Sequence, residues 1–101
     1  MFEASTSISE FVRGKSLDDL RQNDLLRAGI YYKFVVVGEA MSQLAHDDES
    51  TAERMTEYSR IIAFRNQIIH GYGKIDDEIT WRIVEQKLPL LLSELRALLA
   101  E

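Results

Sequence analysis

The sequence predicts an all-α fold, four or five helices packed as a bundle, and three observations carry that prediction. Apolar residues recur at steps of three and four over most of the chain, the spacing that stacks side chains on one face of a helix. Breaks between these stretches carry glycine, capping residues or short acidic runs. At 101 residues and 46% hydrophobic content, the chain fits one domain, 1–101, around one core, with no repeat and no proline- or serine-rich linker. So small a chain has little room for a wholly internal site, so a site shared by two copies, and hence a homodimer, is expected.

Composition removes several kinds of chemistry. There is no cysteine, which excludes disulfides, thiolate catalysis and thiolate zinc sites and agrees with a reducing cytoplasm. No apolar stretch approaches the roughly 20 residues that cross a bilayer, and no signal-like segment opens the chain, so a cytoplasmic protein without membrane contact is expected. With 17 acidic and 12 basic residues the net charge is −5, which argues against coating nucleic acid with the whole surface. The stretch from Tyr58 to Ile75 nevertheless holds Arg60, Arg65 and Lys74 and no Asp or Glu, which predicts a local basic patch.

Residues 1–13 place Phe2, Ile8, Phe11 and Val12 on a short helix ended by Gly14. Ser16-Leu17-Asp18-Asp19 resembles a capping box and starts a second helix ending near Asn23. Ile30, Phe34, Val37, Met41 and Leu44 mark a long helix over about 24–46; the run Phe34–Val37 makes a strand the rival there. Gly38 within it suits the close approach of a neighbouring helix. His46 reads as a solvated loop residue. A fourth helix is expected from about Thr51 to Ile69. Asp76-Asp77-Glu78 opens the last one, whose stripe is Trp81, Val84, Leu88, Leu91, Leu95 and Leu98, with a kink at Pro89. Trp81 on that stripe is expected to pack rather than stack a base.

The fourth helix carries the chemistry. Met55, Tyr58, Ile62, Arg65, Ile69 and Tyr72 follow one another at steps of three and four, which puts an arginine inside an apolar and aromatic stripe. A buried guanidinium needs a carboxylate, a phosphate or a wet cleft; alternatively Arg65 lies at the bundle's rim with its stem packed and its head in water. His70 falls about 140° around the helix from Arg65. The two converge only if the helix ends near Ile69, as Gly71 and Gly73 favour, or if two copies of the segment meet across a two-fold axis. Asn66 lies one turn before His70 on the same face, where its amide can orient the imidazole.

Arg65-Asn66-Gln67-Ile68-Ile69-His70-Gly71-Tyr72 resembles the R-N-x-x-x-H-x-Y signature of HepT-like toxins in the HEPN superfamily. Val37-Gly38-Glu39-Ala40 resembles that family's glycine-glutamate-alanine segment, and Trp81 with Leu88-Pro89-Leu90-Leu91 its final helix, so the resemblance runs over roughly residues 8–99. The first helix is several residues shorter than in typical relatives. The resemblance implies a HEPN-type helical homodimer with both motifs in one cleft, RNA as substrate, and a minimal nucleotidyltransferase as antitoxin in a type II toxin-antitoxin system. RNA brings its own nucleophile in the 2′-hydroxyl, so neither a metal nor another cofactor is expected. His70 is assigned as general acid or base, Arg65 as phosphate and transition-state clamp, Asn66 as orienting residue, and Arg60 and Lys74 as substrate-binding cations. Tyr72 between two glycines has packing, base stacking or acceptance of an adenylyl group as its candidate duties, and the resemblance implies the last. The alternative is a non-catalytic HEPN subunit that binds a nucleotide or serves dimerisation beside a nucleotidyltransferase.

Overall fold

The structure is a computed structural model and describes residues 1–71 and 75–101. Among them every regular element is helical, in the order α1 (Phe2–Phe11), α2 (Leu17–Gln22), α3 (Asp24–Asp47), α4 (Glu49–Ala52), α5 (Tyr58–His70), α6 (Asp77–Arg82), a π-helical turn (Ile83–Lys87) and α7 (Leu88–Leu99). The all-α bundle is therefore as expected, and Phe34–Val37 lies inside α3 rather than in a strand. None of the described helices is long and apolar enough to cross a membrane.

Local chemistry sets the boundaries. Gly14, at φ 71°, follows α1. The Ser16 hydroxyl accepts from the Asp19 amide while Asp19 Oδ2 accepts from the Ser16 amide at 2.8 Å, a complete capping box at the start of α2. Asn23 then ends α2 and caps α3, its Oδ1 accepting from the Leu26 amide at 3.0 Å. Arg27 ties the start of α3 to its neighbours through Asp77 of α6 at 3.2 Å and the Leu20 carbonyl at 3.0 Å.

Helix α3 is the spine. Its inward side chains Ile30, Phe34, Val37 and Met41 are buried together with Ile8 of α1, Phe64 of α5, and Trp81, Val84, Leu88, Leu91 and Leu95 of the last helices. Trp81 therefore packs in the core, as its stripe predicts. Helix α1 crosses α3 at Gly29, where a β-carbon would lie 3.4 Å from the Phe11 ring.

Two expectations about element shape are corrected. The helix expected from Thr51 does not run through to Ile69: Glu57 takes a left-handed conformation, φ 55°, and the long helix starts only at Tyr58. Polar links from the preceding segment to the last helix hold this break, since the Thr56 hydroxyl donates to Glu94 at 2.9 Å and Lys87 pairs with Glu57 at 2.9 Å. The proline effect also appears earlier than Pro89 itself. One turn before it the helix widens into the π turn, where the Leu88 amide donates to the Ile83 carbonyl, and Pro89 then sits in the first turn of α7, where its missing N–H costs nothing.

Candidate active site on helix α5

Helix α5 rests on α3, and the closest point is Gly38 against Arg65. A β-carbon at Gly38 would overlap Arg65 Cβ and lie 2.6 Å from its Cγ. The glycine therefore lets the arginine stem lie flat on the α3 backbone, the close approach expected of it. The next residue completes the arrangement. Arg65 Nη1 donates to Glu39 Oε1 at 2.9 Å, with the arginine side chain 15% exposed and the glutamate 58% exposed. The largely buried guanidinium thus has its carboxylate, although its Nε is buried and has no hydrogen-bond partner among the described residues. The sequence pointed to a need for such a partner without identifying it. The signal was available, because Glu39 adjoins Gly38, where a neighbouring helix can press against α3.

The inward face of α5 is not the stripe that the period alone suggests. Phe64 is the buried residue of the helix, edge-on to Phe34 at 5.2 Å between ring centres, with Ile61 and Ile68 partly buried beside it. The parallel line one residue on passes through Ile62, partly buried against the core, Arg65 at the α3 contact, and Ile69, which is 49% exposed. Helix α3 also has an exposed side. Its outward face carries Leu25, Tyr32, Glu39 and His46 at steps of seven, all exposed, with Leu25 at 83% and Tyr32 at 65%. Two large apolar side chains thus share a helix face with the carboxylate that holds Arg65.

Helix α5 runs unbroken to His70, and Gly71 ends it in the left-handed conformation, φ 61°, with its amide donating to the Gln67 carbonyl at 3.1 Å. His70 is the last helical residue, so the helix does not end early enough to swing it toward Arg65; about 140° of helical rotation still separates the two. His70 and Asn66 are both exposed. Arg60 lies elsewhere, on the side of α5 that faces α6 and α7, and is paired with Glu57 at 3.7 Å. Tyr72 and Lys74 lie outside the described residues. Among the described residues no group of three His, Asp or Glu side chains gathers as a metal site would require.

Comparison with known proteins shows the family. Residues 1–98 match the family model described as "Ribonuclease HepT-like", and the chain belongs to this HepT-like family of the HEPN superfamily. Among curated proteins it is 22% identical over 94 residues to "Putative RNase MJ1380" of Methanocaldococcus jannaschii, covering 93% of this chain and 85% of that one. It is also 22% identical to "Gamma-glutamylcyclotransferase and putative RNase MJ0434" of the same organism, over all of this chain and 45% of that protein. No solved structure matches the chain.

Substitutions at the two adjacent residues of α3 separate space from charge. Gly38→Ala, which forces the α3 and α5 backbones apart, is expected to cost about 2 kcal/mol or more and to lower Tm by about 8 °C or more. Glu39→Gln keeps the shape and a hydrogen-bond acceptor, and given the exposure of the glutamate it should cost only about 1 kcal/mol. Urea denaturation of both variants checks the order; equal losses would contradict it.

Proposed function

We propose that this single helical domain is a metal-independent endoribonuclease of the HEPN type, acting as a cytoplasmic toxin whose active site forms where the α5 helices of two copies meet. The observation that carries the proposal is the placement of an immobilised arginine and an exposed histidine on different sides of one unbroken helix, beside an apolar face that a single chain leaves uncovered. One copy cannot aim both side chains at one phosphate, whereas a two-fold pairing of the α3–α5 faces brings the Arg65 of each copy toward the His70 of the other. The family membership and the names of the two relatives favour RNA as substrate.

In this reading the ribose 2′-oxygen attacks the adjacent phosphorus, the bond to the 5′-oxygen breaks, and a 2′,3′-cyclic phosphate and a 5′-hydroxyl result. His70 moves a proton at the 2′-hydroxyl or the leaving oxygen, since an imidazole can both accept and donate one. Arg65, held by Glu39 and the α3 backbone, offers its remaining N–H groups to the charge that builds on the phosphorane, with little reorganisation to make at that moment. Asn66 orients His70. Lys74 attracts the RNA backbone, and Arg60 adds to this from the side of α5 that faces α6 and α7. Tyr72 accepts an adenylyl group from a minimal nucleotidyltransferase antitoxin, which adds bulk and negative charge beside the cleft.

The Arg65–Glu39 pair also favours a second reading, in which the arginine is structural and the protein is a non-catalytic dimerisation or nucleotide-binding subunit. Purified protein incubated with total RNA, with and without a metal chelator, distinguishes the two. The nuclease reading expects cleavage that a chelator leaves unchanged, with cyclic-phosphate ends, and loss of at least about a hundredfold in His70→Ala and in Arg65→Ala, as general acid-base and electrostatic roles require. Intact RNA in every arm, or cleavage that appears only with added magnesium, contradicts it.

The antitoxin reading has its own check. With ATP, magnesium and the cognate nucleotidyltransferase, mass spectrometry should find adenylate on the wild type and none on Tyr72→Phe, while the Phe variant still cleaves RNA. Adenylate mapping to Tyr31, Tyr32 or Tyr58 would remove Tyr72 from this role.

A further inference from the structure

Away from the Arg65 edge, α5 leaves a gap. A groove of about 260 Å³ opens between α5 on one side and α6, the π turn and α7 on the other. The buried side chains of Phe34, Val37, Phe64 and Leu91 line its base. Ile79 and Leu90, two of the protein's exposed large apolar residues, form its lips. The π turn belongs to this groove, with Ile83 and Lys87, four residues apart, on its wall.

The ends of the groove narrow the choice of occupant. At the start of α5 it is closed by polar links across the gap, Lys87 to Glu57 at 2.9 Å and the Thr56 amide to Glu94 at 3.1 Å. A partner helix needs a trough that it can run through, whereas a slot closed at one end takes a slender chain with one polar terminus. Charge narrows it further. The rim holds Arg60, Arg82 and Lys87 against Glu57 and Glu94. Both carboxylates are engaged: Glu94 by Thr56, and Glu57 by Lys87, whose hydrogen bond keeps the Glu57 carboxyl ionised below its usual range. Arg82 makes no ion pair or hydrogen bond among the described residues, in a chain whose net charge is −5 and where carboxylates outnumber cations.

We infer that this groove is a binding site for a small amphiphilic anion, an unbranched alkyl carboxylate whose chain lies on Phe34, Phe64 and Leu91 and whose head meets Arg82. The apolar base supplies burial for the methylenes, and the unmatched guanidinium supplies a bidentate partner for a carboxylate. The site uses neither Arg65 nor His70, and shares with the proposed nuclease only Arg60 on its rim.

Octanoate, decanoate, decanol and decyltrimethylammonium are the probes, titrated calorimetrically into the full chain with amide shifts followed by NMR. Decanoate should bind about fifteenfold tighter than octanoate, because each of its two added methylenes is worth roughly fourfold when buried. Its shifts should centre on Ile61, Phe64, Ile83 and Leu91. Arg82→Gln should weaken decanoate about tenfold while leaving decanol unchanged, and Ile83→Trp, which fills the groove, should abolish both. Arg82 is exposed, so its variant decides the matter even if Ile83→Trp does not fold. Four outcomes overturn the proposal: no binding by decanoate, equal binding by the cationic amphiphile, shifts centred on Tyr32 and Ile69, or a dimer that Ile83→Trp dissociates, which would make the groove a contact between copies.

Discussion

The contact between Gly38 and Arg65 is the constraint on which the rest of this structure depends. Two helices meet most closely where one of them has no side chain, and here the partner at that point is the longest cationic side chain available. An arginine pressed onto a helix backbone loses water, and the loss is tolerable only with a carboxylate nearby. Glu39 follows Gly38 directly and lies within reach on the same turn. The glycine thus makes room, the glutamate neutralises, and the arginine is fixed in a direction set by the α3 backbone rather than by its own rotamers. A cation fixed in this way has already lost the entropy that a mobile surface arginine would lose on meeting a phosphate.

That placement has a consequence for assembly. The apolar residues of α5 form two adjacent lines, one through Phe64 that the chain buries itself and one through Ile62, which packs against the core, and Ile69, which is exposed. Tyr32 and Leu25 are exposed on the face of α3 that carries Glu39, while Phe11, Ile79, Leu90 and Leu99 are exposed elsewhere on the protein. Exposed apolar side chains are ordinary when single, but when contiguous beside a buried charge they favour an interface. The pairing proposed above would cover this surface and complete the site in one step.

Most of the fold is legible in the sequence because its signals are local. The capping box at Ser16, the stripe of α3, the packing of Trp81 and the glycine after His70 each follow from a few neighbouring residues. The missed features depend on contacts distant in sequence. Glu57 adopts its left-handed conformation in a segment tethered to Lys87 and Glu94 of the last helix, so nothing between Thr51 and Tyr58 announces the break. On α5 the period could not choose between Ile61-Phe64-Ile68 and Ile62-Arg65-Ile69, because both lines are apolar apart from the arginine. The basic patch read between Tyr58 and Ile75 is smaller in space than in sequence, since Glu39 and Glu57 come from outside that stretch to pair with Arg65 and Arg60. Arg65 and His70 were legible as residues of interest, and their divergence around one helix was legible too. Only the structure shows that α5 continues to His70, which is why the reading proposed above calls on a second copy to bring them together.

The claim that two copies share the site is tested most directly by mixing. Arg65→Ala and His70→Ala proteins, each inactive alone, are unfolded together, refolded and assayed for RNA cleavage. If Arg65 of one copy acts with His70 of the other, each mixed dimer keeps one intact pair, and the mixture should recover about a quarter of wild-type activity by random assortment. A mixture that stays inactive, while native mass spectrometry shows the mixed dimers present, would contradict the account.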